Sequence, residues 1–311
     1  MKILPLCILA ALFSILYSPL LPAEENPLTI TPDMQFDYAR TLFAEEDYGT
    51  AIVEFKRFIH FFPGHPKVHT ARFHTAKALF YKGEFQAAAK AFNEIILQDA
   101  DPELTQEAYF YQSDAFLNLG NTGYAQIVLQ NSLQLTEKTE AKDRIYFKLG
   151  SIHLILAREG RHASLATAKT YFSKISESGQ IRFNTNAFIH LIETAQNTPK
   201  KNPTAAGLFA VIPGGGFLYT ERYKDALASF LLNTGLIVAA WQAYDDGNEA
   251  LAGVIGFVGT GFYSGNIYGS ITSAHKYNKK KVADILSRHI TIAPKVDAKN
   301  QSYSVSLKYR F

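Results

Sequence analysis

A pattern that returns every 37 residues constrains this chain more than any other feature. Tyr48, Ala51, Phe55 and Phe58 are followed 37 residues later by Phe85, Ala88, Phe92 and Ile95 in the same spacing. A further 37 residues on, Ala125 and Leu129 take the places of Ala88 and Phe92. A looser fourth copy runs through Leu149, Gly150, Ala168, Phe172 and Ile175, with a longer turn around Arg158–His162. Steps of three and four residues place such side chains on one helical stripe. A small residue in every copy lets two helices approach closely, and the aromatic beside it fills the gap. Each copy also carries an upstream helical pattern, such as Tyr38-Ala39-x-x-Leu42 or Ala76-x-x-Leu79. The positions expected to pack the repeats are Tyr48, Ala51 and Phe55 in one copy and Phe85, Ala88 and Phe92 in the next.

These residues resemble the tetratricopeptide repeat across residues 36–197. The stretch Tyr48–Pro66, YGTAIVEFKRFIHFFPGHP, is similar to repeats of periplasmic envelope-assembly proteins, including the outer-membrane assembly lipoprotein and the Tol-associated coordinator. The resemblance implies helix–turn–helix units stacked into a solenoid whose concave groove binds a protein or peptide. A solenoid serving only as a spacer is the alternative. Phe183–Asn197 is expected to form a capping helix.

The composition changes at Thr198–Pro203 (TPKKNP), where two prolines break helix and two lysines favour water, so 198–203 reads as a linker. Beyond it, 204–281 holds most of the chain's 20 glycines and two uncharged segments, Ala226–Ala243 and Ala250–Ser270. Each is close to the ~20 residues that cross ~30 Å of hydrocarbon as a helix. The acidic run Asp245–Glu249 separates them, and Tyr219, Trp241, Tyr244 and Tyr277 stand near their ends, as aromatic rings do at membrane interfaces. A buried helical pair of a soluble protein is the alternative. Gly261, Gly265 and Gly269, four apart, make a smooth stripe suited to close helix packing. Its partner is either Ala226–Ala243 of the same chain or a second copy, which would make a homo-oligomer.

The stretch Pro213-Gly214-Gly215-Gly216 invites a phosphate-loop reading, but no Lys-Ser/Thr follows the last glycine and the dinucleotide fingerprint fails at Tyr219. Pro213, Gly214, Gly216, Tyr219 and Arg222, followed by two uncharged segments, resemble the entry motif of small two-span membrane domains. This sequence departs from that pattern at Glu221, where glycine is common. The resemblance implies a backbone turn at the membrane interface, with Tyr219 and Arg222 anchored among headgroups. It implies no catalytic residues.

At the N-terminus Lys2, the apolar stretch Ile3–Leu16 and Leu21-Pro22-Ala23 make up a secretory signal over 1–23, with 24–35 as a linker. The only cysteine, Cys7, lies inside that signal, so the mature chain has no disulfide and no thiolate. At the other end, 282–311 reads as a tail. Tyr303–Phe311 alternates apolar and polar residues and pairs with Ile290-Thr-Ile292 in a short β-hairpin. Its terminal Phe also resembles the recognition signal of outer-membrane barrel proteins, although two strands close no barrel. Topology stays open. A two-span hairpin leaves Lys279–Lys281 on the side of the repeats, whereas Thr204–Leu218 as a third, short span places them opposite.

The formal net charge of +3, without long runs of one sign, gives no drive toward nucleic acid. No catalytic grouping emerges: His65 and His69 have ligand-like spacing but no carboxylate to complete a set, so no catalytic, cofactor or metal residues are assigned. The expected fold is all-α, a tetratricopeptide-type solenoid followed by a hydrophobic helical hairpin and a short C-terminal β-hairpin. The expected function is a non-enzymatic cell-envelope scaffold. Its repeats would lie in the periplasm and bind protein or peptide partners, and its hairpin would be tethered to the inner or outer membrane. The alternative is a part of an envelope transport or secretion assembly whose spans act directly.

Overall fold

The computed structural model describes the backbone of residues 29–297 and 302–309 and the side chains of residues 29–290. The expected signal, 1–23, lies outside the described residues.

Four helical pairs follow one another: α1 (Pro32–Ala44) with α2 (Tyr48–Phe61), α3 (Val68–Tyr81) with α4 (Phe85–Gln98), α5 (Pro102–Asn118) with α6 (Thr122–Leu135), and α7 (Thr139–Arg158) with α8 (Ser164–Ser173). The first helix begins four residues before the expected solenoid boundary. Thr31 caps it by accepting from the Met34 N–H, and Pro32 opens the first turn, where a missing N–H costs nothing. Asp47, Asp101 and Asn121 cap α2, α5 and α6 in the same way. The repeat is also visible in the backbone. The turn inside each pair passes through the left-handed region at Glu46 (φ 65°), Gly83 (86°), Gly120 (72°) and Gly160 (103°). Glycine takes that conformation without a Cβ penalty, so Glu46 alone carries strain there.

The repeat positions form the core. Ala51, Phe55, Ala88, Phe92, Ala125, Leu129, Ala168 and Phe172 are all fully buried. Tyr48 and Phe85 are half-buried, each edge-on to an aromatic in the last turn of the helix before it: Phe43–Tyr48 at 5.4 Å and Phe80–Phe85 at 5.3 Å between ring centres. Gly150 marks a close crossing, since an added Cβ would stand 2.7 Å from the Phe172 ring. Two further helices, α9 (Glu177–Phe183) and α10 (Thr185–Gln196), complete the stack.

Next come the short α11 (Pro203–Phe209) and α12 (Gly215–Tyr219), then the long α13 (Tyr223–Asp245) and α14 (Glu249–His289). α14 holds 41 residues and returns to the solenoid. Its last turns place Val282, Leu286 and Ile290 in one apolar cluster with Leu154, Leu165, Phe188 and Leu191. The exposed end of the repeat stack is thereby covered by α14, as a terminal repeat requires.

The fold class read from the sequence is corrected at this end. It ended the apolar hairpin at 281 and added a tail carrying a short β-hairpin. The helix instead runs on to His289, so the described chain is helical from Pro32 to His289, and Ile290, the residue that caps α14, is packed in the core. The backbone at β1 (Ile290–Asp297) and β2 (Ser302–Tyr309) is extended and antiparallel, with Ile290 opposite Tyr309. Two strands are no independent unit, and a β-hairpin is not part of the fold class.

Candidate functional site

The segment 203–222 folds as a broken helical pair. α11 runs alongside α14 from the level of Asn278 to that of Asn266, the chain turns at Ala210–Gly214, and α12 runs back to the level of Ser273. At 1.5 Å per residue, the turn lies about 18 Å along α14 from Asn278. Thr204–Leu218 therefore does not form one continuous span. Lys201, Glu221 and Tyr277 meet at the end of the hairpin next to the solenoid, with Lys201 Nζ 3.4 Å from Glu221 and the Tyr277 hydroxyl donating to Glu221 at 3.1 Å.

A chain that breaks between two helices leaves backbone N–H and C=O groups without partners. Asn266 supplies them. Its Oδ1 accepts from the Gly214 N–H (3.1 Å) and from the Ser229 hydroxyl (2.7 Å), while its Nδ2 donates to the Ala210 carbonyl (2.7 Å). The Tyr263 hydroxyl donates to the Val211 carbonyl at 2.8 Å. One side chain thus joins the turn, α13 and α14.

The entry-motif residues surround this point. Gly214 has φ +82° and starts α12. Added Cβ atoms at Gly214, Gly215 and Gly216 would each stand 2.3 Å from a backbone carbonyl, those of Ala226, Phe209 and Ala206. These glycines permit three-way backbone contact as well as a turn. Pro213 precedes them, half-buried. Tyr219 accepts at its hydroxyl from the Asn202 N–H (3.1 Å), and Arg222 donates from Nε to Asp225 (2.7 Å) beside the Phe217 ring.

The glycine stripe divides. Gly269 packs on Phe217, with an added Cβ 2.8 Å from the ring, but among the described residues Gly261 and Gly265 have nothing within 4 Å of such a position. They line an open groove of about 440 Å³ between α13 and α14, together with Ala228, Leu232, Val258 and Phe262. The expected close contact with 226–243 is not made at these two glycines.

Helices α13 and α14 are long and apolar enough to cross a membrane. A core helix of that composition would be mostly buried, yet Leu227, Leu231, Trp241, Val254 and Phe257 are exposed, as are Leu208, Phe209, Val211 and Ile212 on the broken pair. Exposed large apolar side chains thus stand on all four helices, with Leu218 on α12, and an exposed apolar surface marks a place of association. The expected linker 198–203 is pinned to α14: the Lys201 N–H donates to Asn278 Oδ1 and Asn278 Nδ2 donates to the Lys201 carbonyl, both at 2.8 Å.

Across the solenoid, α1, α3, α5 and α7 bring aromatic and charged side chains together. The Lys77 ammonium lies 5.4–5.8 Å from the ring centres of Phe43, Phe73, Tyr81 and Tyr111. Burial lowers its pKa. Arg144 grips Glu107 with both nitrogens over the Phe110 ring, and Lys148 pairs with Asp114 at 2.5 Å. Burial raises the Asp114 pKa against the opposing pull of Lys148. Among the described residues no group of three His, Cys, Asp or Glu side chains gathers as a metal-ligand set.

No protein-family model matches the chain, and no curated protein does. Among solved structures, a tetratricopeptide repeat protein from Parabacteroides merdae ATCC 43184 is similar, at 11% identity and a TM-score of 0.41, over 78% of this chain and 98% of that one. A score that low does not establish a common fold. The described chain is nonetheless a stack of repeated helical pairs, as its 37-residue register of buried positions and turns shows.

Proposed function

We propose that this chain is a non-enzymatic scaffold of the cell envelope, held to a membrane by α11–α14 and recruiting protein or peptide partners through its helical repeats. One observation carries the reading: exposed apolar side chains stand on all four helices, and the 41-residue α14 fixes them to the solenoid. At about 1.5 Å per residue, the 23 residues of α13 reach about 35 Å, enough for the hydrocarbon core. The cell-envelope location rests on the signal read in the sequence at 1–23, and the recruiting role rests on the aromatic and charged side chains that α1, α3, α5 and α7 gather around Lys77, Glu107 and Arg144. Extraction of membranes with alkaline carbonate tests the tether: the mature protein stays in the pellet, and its release to the supernatant contradicts the proposal.

The broken pair favours a second reading, a component of an envelope transport or secretion assembly in which the spans act. Interrupted helices near mid-membrane, with polar groups meeting at the break, are a recurrent feature of transport proteins. Replacing 204–281 with an unrelated two-span anchor separates the two. Retained partner recruitment and cellular function fit the scaffold, and lost function with intact recruitment fits the transport component.

A further inference from the structure

The end of the hairpin next to the solenoid is strongly cationic. Residues 198–225 and 272–281 contain eight lysines and arginines against two acids, whereas the far turn, 245–249, holds three acids and no basic residue. The fold draws these two stretches to one level. The Lys201 backbone is hydrogen-bonded to Asn278, and the ammonium groups of Lys201 and Lys281 lie 5.4 and 5.5 Å from the Tyr277 ring centre. Lys279 crosses the solenoid turn at Gly160, so closely that a Cβ there would collide with it. His162 in the same turn is lowered in pKa by burial and then by the fields of Lys200 and Lys279.

Both acids at this level are occupied, Glu221 by Lys201 and Tyr277, and Asp225 by Arg222. Lys200, Lys224, Lys276, Lys279, Lys280 and Lys281 are exposed, and none has an ion-pair partner among the described residues. Unmatched cations at this density repel one another, and an anionic counterpart relieves that repulsion.

We propose that this cationic belt docks on the phosphate headgroups of an anionic lipid leaflet. The proposal rests on the membrane-tether reading. The belt adjoins the apolar surface, with the tyrosines Tyr219, Tyr223 and Tyr277 at the boundary, so the lipid that covers the surface brings its headgroups to these lysines. Its lysines also stand on more than one side of α14, because residues 276, 279, 280 and 281 advance by 100° per residue. A plane of headgroups meets a ring of charge, whereas a docked protein meets one face. Lysines next to an anionic leaflet each contribute about a fivefold preference.

Full-length mature protein is reconstituted into phosphatidylcholine vesicles containing a trace of spin-labelled phosphatidylglycerol or spin-labelled phosphatidylcholine, and the fraction of each label immobilised by the protein is compared. The expected result is at least about a fivefold preference for phosphatidylglycerol that weakens as salt is raised. Substituting Lys200, Lys224, Lys276, Lys279, Lys280 and Lys281 together by Gln should bring the preference close to one, while the matching Arg set preserves it. Equal association of both labels with the wild type, or an undiminished preference in the Gln set, overturns the proposal but leaves the tether standing. A belt that serves an acidic protein gives the first of these. Protein that does not enter the vesicles at all overturns the tether reading and this proposal together.

Discussion

His74 is held as a neutral imidazole by its surroundings. It stacks on Phe55 at 5.3 Å, meets Phe36 and Phe43 edge-on, and its buried Nδ1 has no hydrogen-bond partner. Burial, and after it the nearby Lys77 and Arg40, lower its pKa to about 4. The unfolded chain binds this proton from about pH 6.5 downward. Stability from this group is therefore complete above about pH 6.5 and declines as the pH falls toward 4, by about 3 kcal/mol in all. His74→Phe should flatten that part of the profile, which thermal unfolding followed from pH 7 to pH 4 will read. An unchanged slope would show that other groups set it. Asn266 is the second residue on which much depends. Asn266→Ala leaves the Gly214 N–H, the Ala210 carbonyl and the Ser229 hydroxyl without their partner, and unmet buried groups cost about 1–3 kcal/mol each. Thermal unfolding in detergent should show a loss of roughly 3 kcal/mol, and a loss under about 1 kcal/mol would mean the turn finds other partners.

At the scale of elements, periodicity explains what the sequence made legible. Ala51, Phe55, Ala88 and Phe92 share a helix face by spacing, and that face is the buried one. The turns were less legible because Glu46 stands where later copies have Gly83 and Gly120, so the left-handed position shows only when all copies are aligned. The glycines of the hairpin differ in what lies against them. A four-residue spacing tells which residues share a face, not whether a neighbour lies against it: Gly261 and Gly265 face open space, while Gly214–Gly216, read as a turn, make the tight backbone contacts. Gly216→Ala should therefore destabilise by about 1–3 kcal/mol through overpacking. Gly261→Ala, mid-helix and unopposed, should be neutral or stabilise by up to about 1 kcal/mol. Equal losses at both sites would contradict the distinction. The continuation of α14 past the lysines is also readable, since Val282, Ile285, Leu286 and His289 keep helical spacing beyond the boundary set at 281. Leu286→Ala should cost about 2–5 kcal/mol. It should lower hydrogen-exchange protection in α7, α8 and α10 while leaving α1–α4 unchanged, because Leu286 belongs to the distal cluster. Uniform loss of protection would mean that the stack unfolds as one unit.

For the whole molecule, the sequence separated a repeat region from a glycine-rich apolar region but not their connection. The linker reading at 198–203 relied on proline and lysine content, which does not reveal that Asn278, 77 residues away, binds the Lys201 backbone on both sides. Nor does hydropathy distinguish a third span from a pair of short helices that enters and returns, because both are apolar. On the proposed tether the distinction decides topology: a returning pair would place 198–203, 221–224 and 276–281 on one side of a membrane together with the solenoid, and 245–249 on the other. With Cys7 as the chain's sole cysteine, single cysteines can be introduced into a Cys7→Ser background and probed in sealed vesicles with a membrane-impermeant maleimide. Cysteines at Asn202 and Lys280 should label from the same side, one at Gly247 from the opposite side, and one at Ile212 from neither. Labelling of Asn202 and Lys280 from opposite sides would contradict a returning pair.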